Sequence, residues 1–135
     1  MDENIYLELF IPNSSSQEIW NRMIQFPEWL LLFVTPEKIQ YQENAKGEWI
    51  LKKNIFFKTV AQYRIISCQA PDHLLLDIHM QDFSSSILLT LEEKANGTCL
   101  HLDHRSFTGK YKNAFRKQFL KRWQKLLKRF SKDQK

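Results

Sequence analysis

The sequence predicts an α+β fold: a curved antiparallel sheet of about six or seven strands around one long C-terminal helix. Three observations predict it. Period-two alternation of apolar and polar residues fills most of the stretch from Ile5 to Phe107, short turns separate these runs, and residues 110–131 carry one apolar stripe at helical spacing. Neighbouring strands joined by short turns give an antiparallel sheet with one buried and one wet face. The stripe on the last helix is the evident cover for that buried face. At 135 residues the chain is read as a single domain, 1–135.

Each element follows from local pattern. Ile5, Leu7, Leu9 and Ile11 alternate with Tyr6, Glu8 and Phe10 as a first strand, which Pro12-Asn13 ends. Ser15 and Glu18 form a capping box, in which each side chain accepts from the other's otherwise orphaned backbone amide. The helix that follows sets Ile19, Trp20, Met23 and Ile24 on one face. Phe26-Pro27 breaks it, and Glu28 to Phe33 reads as a second short helix before Pro36. Lys38 to Gln42 is a faintly marked strand. Gly47 to Asn54 sets Trp49 and Leu51 against Glu48 and Lys52, and Phe57 to Cys68 sets Ala61, Tyr63 and Ile65 against Gln62 and Arg64. After the Pro71-Asp72 turn, Leu74, Leu76, Ile78 and Met80 alternate with Leu75, Asp77 and His79. Ser86 to Glu93 turns Ile87, Leu89 and Leu91 inward, with Ser84-Ser85-Ser86 as no more than a strand's beginning. Asn96-Gly97 is a short-hairpin signal. Beyond it Leu100, Leu102 and His104 share one parity, opposite His101, Asp103 and Arg105. In the last helix Phe115, Phe119, Trp123, Leu126, Leu127 and Phe130 fall within a sector of roughly 120°, with Arg116 as a misfit inside it.

Charge is unevenly spread. The net is +5, but residues 110–135 hold eleven Lys and Arg against one acid, a net of +10, and residues 1–109 hold nine bases against fourteen acids, a net of −5. An acidic body carries a basic helix. Lys117, Lys121, Arg122, Lys125, Lys128, Arg129 and Lys132 lie opposite the apolar stripe. That face is either a solvated surface or a docking face for an acidic protein, with at most peripheral contact to an anionic membrane. Nucleic acid is disfavoured, because single-strand binding wants exposed aromatics beside the basic stripe and here the helix's aromatics lie opposite. Met1-Asp2-Glu3-Asn4 lacks the basic-then-apolar start of a signal peptide, and the longest apolar run, Trp29 to Val34, is far short of the ~20 residues that span a bilayer. The expected location is cytoplasmic.

The order strand, two helices, further strands and long helix resembles the START-like (SRPBCC) superfamily. Within it, the chain is similar to the branch typified by the C-terminal domain of the activator of the heat-shock-protein ATPase. Ile11-Pro12-Asn13-Ser14-Ser15-Ser16-Gln17-Glu18-Ile19-Trp20 resembles that branch's opening strand, capped helix start and helical Trp. Asn96-Gly97-Thr98-Cys99-Leu100-His101-Leu102-Asp103-His104 resembles its last hairpin, and Trp123 with Leu126 and Leu127 its closing helix. The Trp29 to Phe33 segment is more apolar than the family's, and the final helix more basic. The resemblance implies a helix-grip fold with a cavity between sheet and C-terminal helix. It points to function less directly, since the superfamily holds lipid carriers, receptors, cyclases and co-chaperone parts.

The candidate site is that cavity. By parity Trp49, Tyr63, Leu76, Ile78 and Leu89 point inward, with Trp29 and Phe33 near the mouth and Phe119 and Trp123 behind; the same side chains would also serve to fill the space. His104 shares the inward face. It is read mainly as a structural His beside the last helix, since a general base needs an orienting partner that the sequence does not show. The expected function is a noncatalytic module holding a small hydrophobic or lipid-like ligand. Alternatives are a protein-interaction module, co-chaperone-like, and a cyclase or hydrolase using the same cavity through His104 and Tyr63. No nucleophile elbow or Gly-rich nucleotide loop occurs, and no cofactor is implied. Cys68 and Cys99 face outward, and the His and Cys residues lack the close pairs typical of zinc sites, so no metal is expected.

Overall fold

A computed structural model of the chain describes residues 4–25, 33–34, 42–51, 59–80 and 82–132. The elements are β1 (Ile5–Pro12), α1 (Ser16–Gln25), β2 (Phe33–Val34), β3 (Lys46–Leu51), β4 (Thr59–Gln69), β5 (His73–Met80), β6 (Phe83–Lys94), β7 (Gly97–Thr108) and α2 (Lys112–Lys132). The strands form one sheet in the order β1-β7-β6-β5-β4-β3-β2. All pairs are antiparallel. The chain therefore meanders from β2 to β7, and β1 closes against β7 as an edge strand.

Alternation becomes burial wherever the pleat is regular. Leu74, Leu76, Ile78 and Met80 of β5, Ile87, Leu89 and Leu91 of β6, and Leu100 and Leu102 of β7 are all buried on the inner face. α1 adds Ile19, Trp20 and Met23, and α2 adds Phe119, Trp123 and Leu126. The capping box forms as expected: Ser15 N donates to Glu18 Oε1 and Glu18 N to Ser15 Oγ, both at 3.1 Å. The same helix start is tied to the far hairpin, because Ser16 N and Oγ both donate to Glu93 Oε1 at 3.0 and 3.1 Å.

Two irregularities re-aim side chains. Between β6 and β7, Ser86 pairs with Arg105 but Ser84 with Thr108, so β7 carries one extra residue, and its Ser106 takes φ 62°. That bulge turns Phe107 inward only three residues after His104. On β4 the register shifts between Ile65 and Ser67, which leaves Ile66 exposed.

Three sequence expectations are corrected. Phe33, expected to end a second short helix, lies in β2 paired with Leu51; a wholly apolar run such as Trp29 to Val34 has no period to separate helix from strand. The rest of that helix, and Lys38 to Tyr41 of the weak strand, lie outside the described residues, and Gln42 itself is a bend. The Asn96-Gly97 hairpin exists but is offset: Ala95 and Asn96 form the turn, and Gly97 opens β7 opposite Lys94. Gly97 is needed for close approach, since a Cβ there would sit 2.3 Å from the Ile11 carbonyl oxygen of β1.

Candidate functional site

Among the described residues, the inner face carries a polar constellation beneath α2, while buried Thr98 donates to the Ser14 carbonyl at 2.8 Å near the start of β7. His104 of β7 is 0% exposed. Trp123 Nε1 donates to His104 Nδ1 at 3.0 Å. An indole can only donate, so Nδ1 is the unprotonated nitrogen and the proton sits on Nε2. His104 Nε2 lies 2.7 Å from Ser85 Oγ of β6 and donates to it. Burial pushes the imidazole down to about 3, so the ring is neutral at neutral pH. Phe107 and Phe119 pack on it at 4.5 and 4.6 Å between centroids, the latter edge-on. Phe83, 4.7 Å from Phe115, extends the aromatic layer. With both nitrogens engaged and no solvent access, His104 acts as a clamp that fixes α2 to the sheet. It does not have the exposure or the free nitrogen of a general base.

Ser85 was not singled out by sequence, although it shares parity with Phe83, Ile87 and Leu89 on β6. A polar residue in an apolar row was the available signal.

The remaining cavity candidates divide cleanly. Tyr63 on β4, Leu76 and Ile78 on β5, Leu89 on β6 and Phe119 and Trp123 on α2 all face the interior and are buried. Trp49 pairs with Ala61 across β3–β4 and Phe33 lies on β2, but their side chains, and Trp29 altogether, fall outside the described residues. On α2, Lys117, Lys121, Lys125 and Lys128 are exposed and Arg122 is half-buried; the side chains of Arg129 and Lys132 are not among those described. The same basic helix holds Arg116 half-buried, between the two faces.

The outer face carries two further features. A cleft of about 510 Å³ on β3–β5 is rimmed by Lys46, Glu48, Gln62, Arg64, Asp77 and His79, a mixture of both charges, with Gly47 and Tyr63 also in its lining. On β1, β7 and β6, Tyr6, Glu8, Glu92, Cys99 and His101 converge. Tyr6 Oη donates to Glu8 Oε1 at 2.6 Å and lies 2.9 Å from His101 Nδ1. His101 Nε2 is 3.2 Å from Glu92 Oε1. Cys68 and Cys99 are both free thiols. No helix among the described residues is long and apolar enough to cross a membrane.

No protein-family model matches the sequence, and no curated protein does. Solved structures match well in shape. The protein CV1439 from Chromobacterium violaceum is similar at TM-score 0.71 and 13% identity, covering 98% of this chain and 96% of that one. CalU16 from Micromonospora echinospora is similar at TM-score 0.60 and 18% identity, over 97% and 82% of the two chains. DynU16, a protein in the dynemicin biosynthetic locus, is similar at TM-score 0.68 and 12% identity; this chain spans 47% of its length. At such identities the likeness is one of fold. The architecture is the α+β helix-grip one that the sequence predicts.

Proposed function

We propose that the chain is a noncatalytic binding domain that holds a small apolar, lipid-like molecule between the sheet and α2. One observation carries the reading: the inner face stays largely apolar along its length, from β7 and β6 through β5 to β4. α2 packs on β1 and β7 and, through Phe115 against Phe83, on β6, while α1 packs on β6 and β7. The inner row runs on through Leu76 and Ile78 of β5 to Ala61, Tyr63 and Ile65 of β4. A wall that is apolar, with a single phenol in it, has the make-up of a small-molecule site. On this reading Tyr63, Leu76, Ile78 and Leu89 belong to the wall, while His104, Phe119 and Trp123 form the closed back. The shape shared with DynU16, from a biosynthetic locus, adds support for small-molecule handling.

The test is native mass spectrometry of gently purified protein, followed by denaturation and identification of what is released. The expected result is an added mass of a few hundred daltons from an apolar compound. Ala61→Phe sharpens it. In a ligand wall the new ring takes the ligand's room and abolishes uptake of a fluorescent fatty acid with the fold kept. In a filled core it overpacks, at a cost of about 1–3 kcal/mol. A bare chain that takes up no fatty acid, with Ala61→Phe destabilised by that amount, refutes the proposal.

A second reading rests on the basic face of α2, where exposed Lys117, Lys121, Lys125 and Lys128 suit an acidic protein partner. Its support from the sequence is the resemblance to the activator branch of the superfamily. Charge reversal at Lys121, Lys125 and Lys128 should abolish capture of such a partner; capture that survives the reversal removes the helix from the account.

A further inference from the structure

The outer face of the β1–β7 edge brings together donors that the sequence keeps apart. Glu8 lies opposite His101 in the β1–β7 register, and Cys99 precedes His101 by two on β7. Residues two apart on a strand share a face. A carboxylate oxygen, an imidazole nitrogen and a thiol sulfur thus meet on one patch, with their donor atoms all within 4.8 Å of one another. Glu8 Oε1 and His101 Nδ1 are 3.2 Å apart. Oxygen and nitrogen donors about 2.0–2.2 Å from a tetrahedral zinc stand roughly 3.3 Å from each other. The gap between this pair already has that size.

We propose that Glu8, Cys99 and His101 bind a zinc-class divalent cation, stapling the edge strand β1 to β7. A second observation supports the donor assignment. His101 turns Nε2 to the Glu92 carboxylate of β6 at 3.2 Å, leaving Nδ1 toward Glu8. A metal-ligating imidazole characteristically gives its other N–H to a carboxylate, which fixes the tautomer and ring plane. Glu92 is itself held by Lys94, 3.2 Å from its second oxygen. The Tyr6 hydroxyl, which now bridges Glu8 Oε1 and His101 Nδ1, gives way to the cation. Three protein donors leave a fourth position for water, as in open zinc sites. The ligating sulfur is a thiolate, so binding releases the thiol proton to solvent and strengthens as pH rises.

The donor set explains why only the folded chain shows the site. Glu8 and His101 are joined by strand pairing alone, and no zinc-type spacing links them in sequence.

The experiment titrates the metal-free folded protein with Zn²⁺ by calorimetry and with Co²⁺ by absorption. Wild type should bind one equivalent of each, with a thiolate-to-cobalt charge-transfer band in the near ultraviolet. Cys99→Ser should remove the band, whereas Cys68→Ser should keep it. His101→Ala should weaken Zn²⁺ binding at least tenfold. Glu92→Gln, which touches no metal, should weaken it by roughly 10–100-fold. Zn²⁺ should raise the thermal midpoint of wild type but not of Cys99→Ser. Absence of one-to-one binding, or a charge-transfer band that survives Cys99→Ser, overturns the proposal. These side chains are at least partly exposed, and unchanged circular dichroism of the metal-free variants separates lost ligands from lost folding.

Discussion

Two histidines three residues apart on β7 occupy opposite worlds. His104 lies inward, wholly buried, capped by an indole donor and a serine hydroxyl among phenyl rings. His101 lies outward, with a phenol and two carboxylates around it. The residue type is the same; the pleat and the neighbouring strands decide the chemistry. The inner ring is spent on holding the fold, and the outer one is left with polar partners that can be exchanged.

The largest effect should come from the inner side. Phe119 is fully buried and stacks edge-on against His104. Phe119→Ala should cost about 3–5 kcal/mol in denaturant unfolding, while Tyr6→Ala on the outer face should stay within about 0.5 kcal/mol. Equal losses would mean that the inner aromatic layer is not the core of the molecule.

Acid is the next lever. His104 is neutral when folded, with its ring pushed down to about 3, but an exposed His in the unfolded chain protonates near 6.5. Below that pH the unfolded state binds the extra proton, so stability falls as pH drops from 6.5 toward 3. Between pH 7 and pH 4 this one group should remove roughly 3 kcal/mol. The difference in pH dependence between wild type and His104→Gln isolates it. Identical slopes in the two proteins would show that the ring is not held neutral by burial.

Trp123→Phe keeps an aromatic ring but deletes the indole donor along with part of the buried volume. His104 Nδ1 is then a buried acceptor without a partner, at a cost of about 1–3 kcal/mol. Trp123→Phe with unchanged stability would mean that packing alone seats α2.

How far the two faces were legible in the sequence follows from the distance over which each is specified. His104 could be placed inward because Leu100 and Leu102 share its parity within five residues of chain. Its partners were half visible: Trp123 stood out in the apolar stripe, but Ser85, though it shares the inward parity of Phe83, Ile87 and Leu89, stood inside a serine run. Phe107 could not be placed, because the bulge at Ser106 reverses parity through a backbone conformation that no spacing announces. The outer cluster was wholly illegible. Tyr6 and His101 are 95 residues apart, and only the β1–β7 register makes them neighbours. The β2 strand failed for a different reason, since an all-apolar run signals burial without a period.

The smallest effect tests whether that register holds side chains together in solution. The hydrogen bond to Glu8, more than any other influence, pushes the exposed Tyr6 phenol up to about 12. Glu8→Gln removes the carboxylate that resists phenolate formation, so Tyr6 should ionise closer to the usual value of about 10. Alkaline absorption titration reads this directly, and subtracting the Tyr6→Phe protein assigns the change to one of the chain's four tyrosines. Unfolding energy should hardly move, because the pair is exposed and surface partners contribute little. A Tyr6 titration that ignores Glu8 would mean that the outer side chains do not meet, and the cation site would lose its geometric basis while the inner clamp stood untouched.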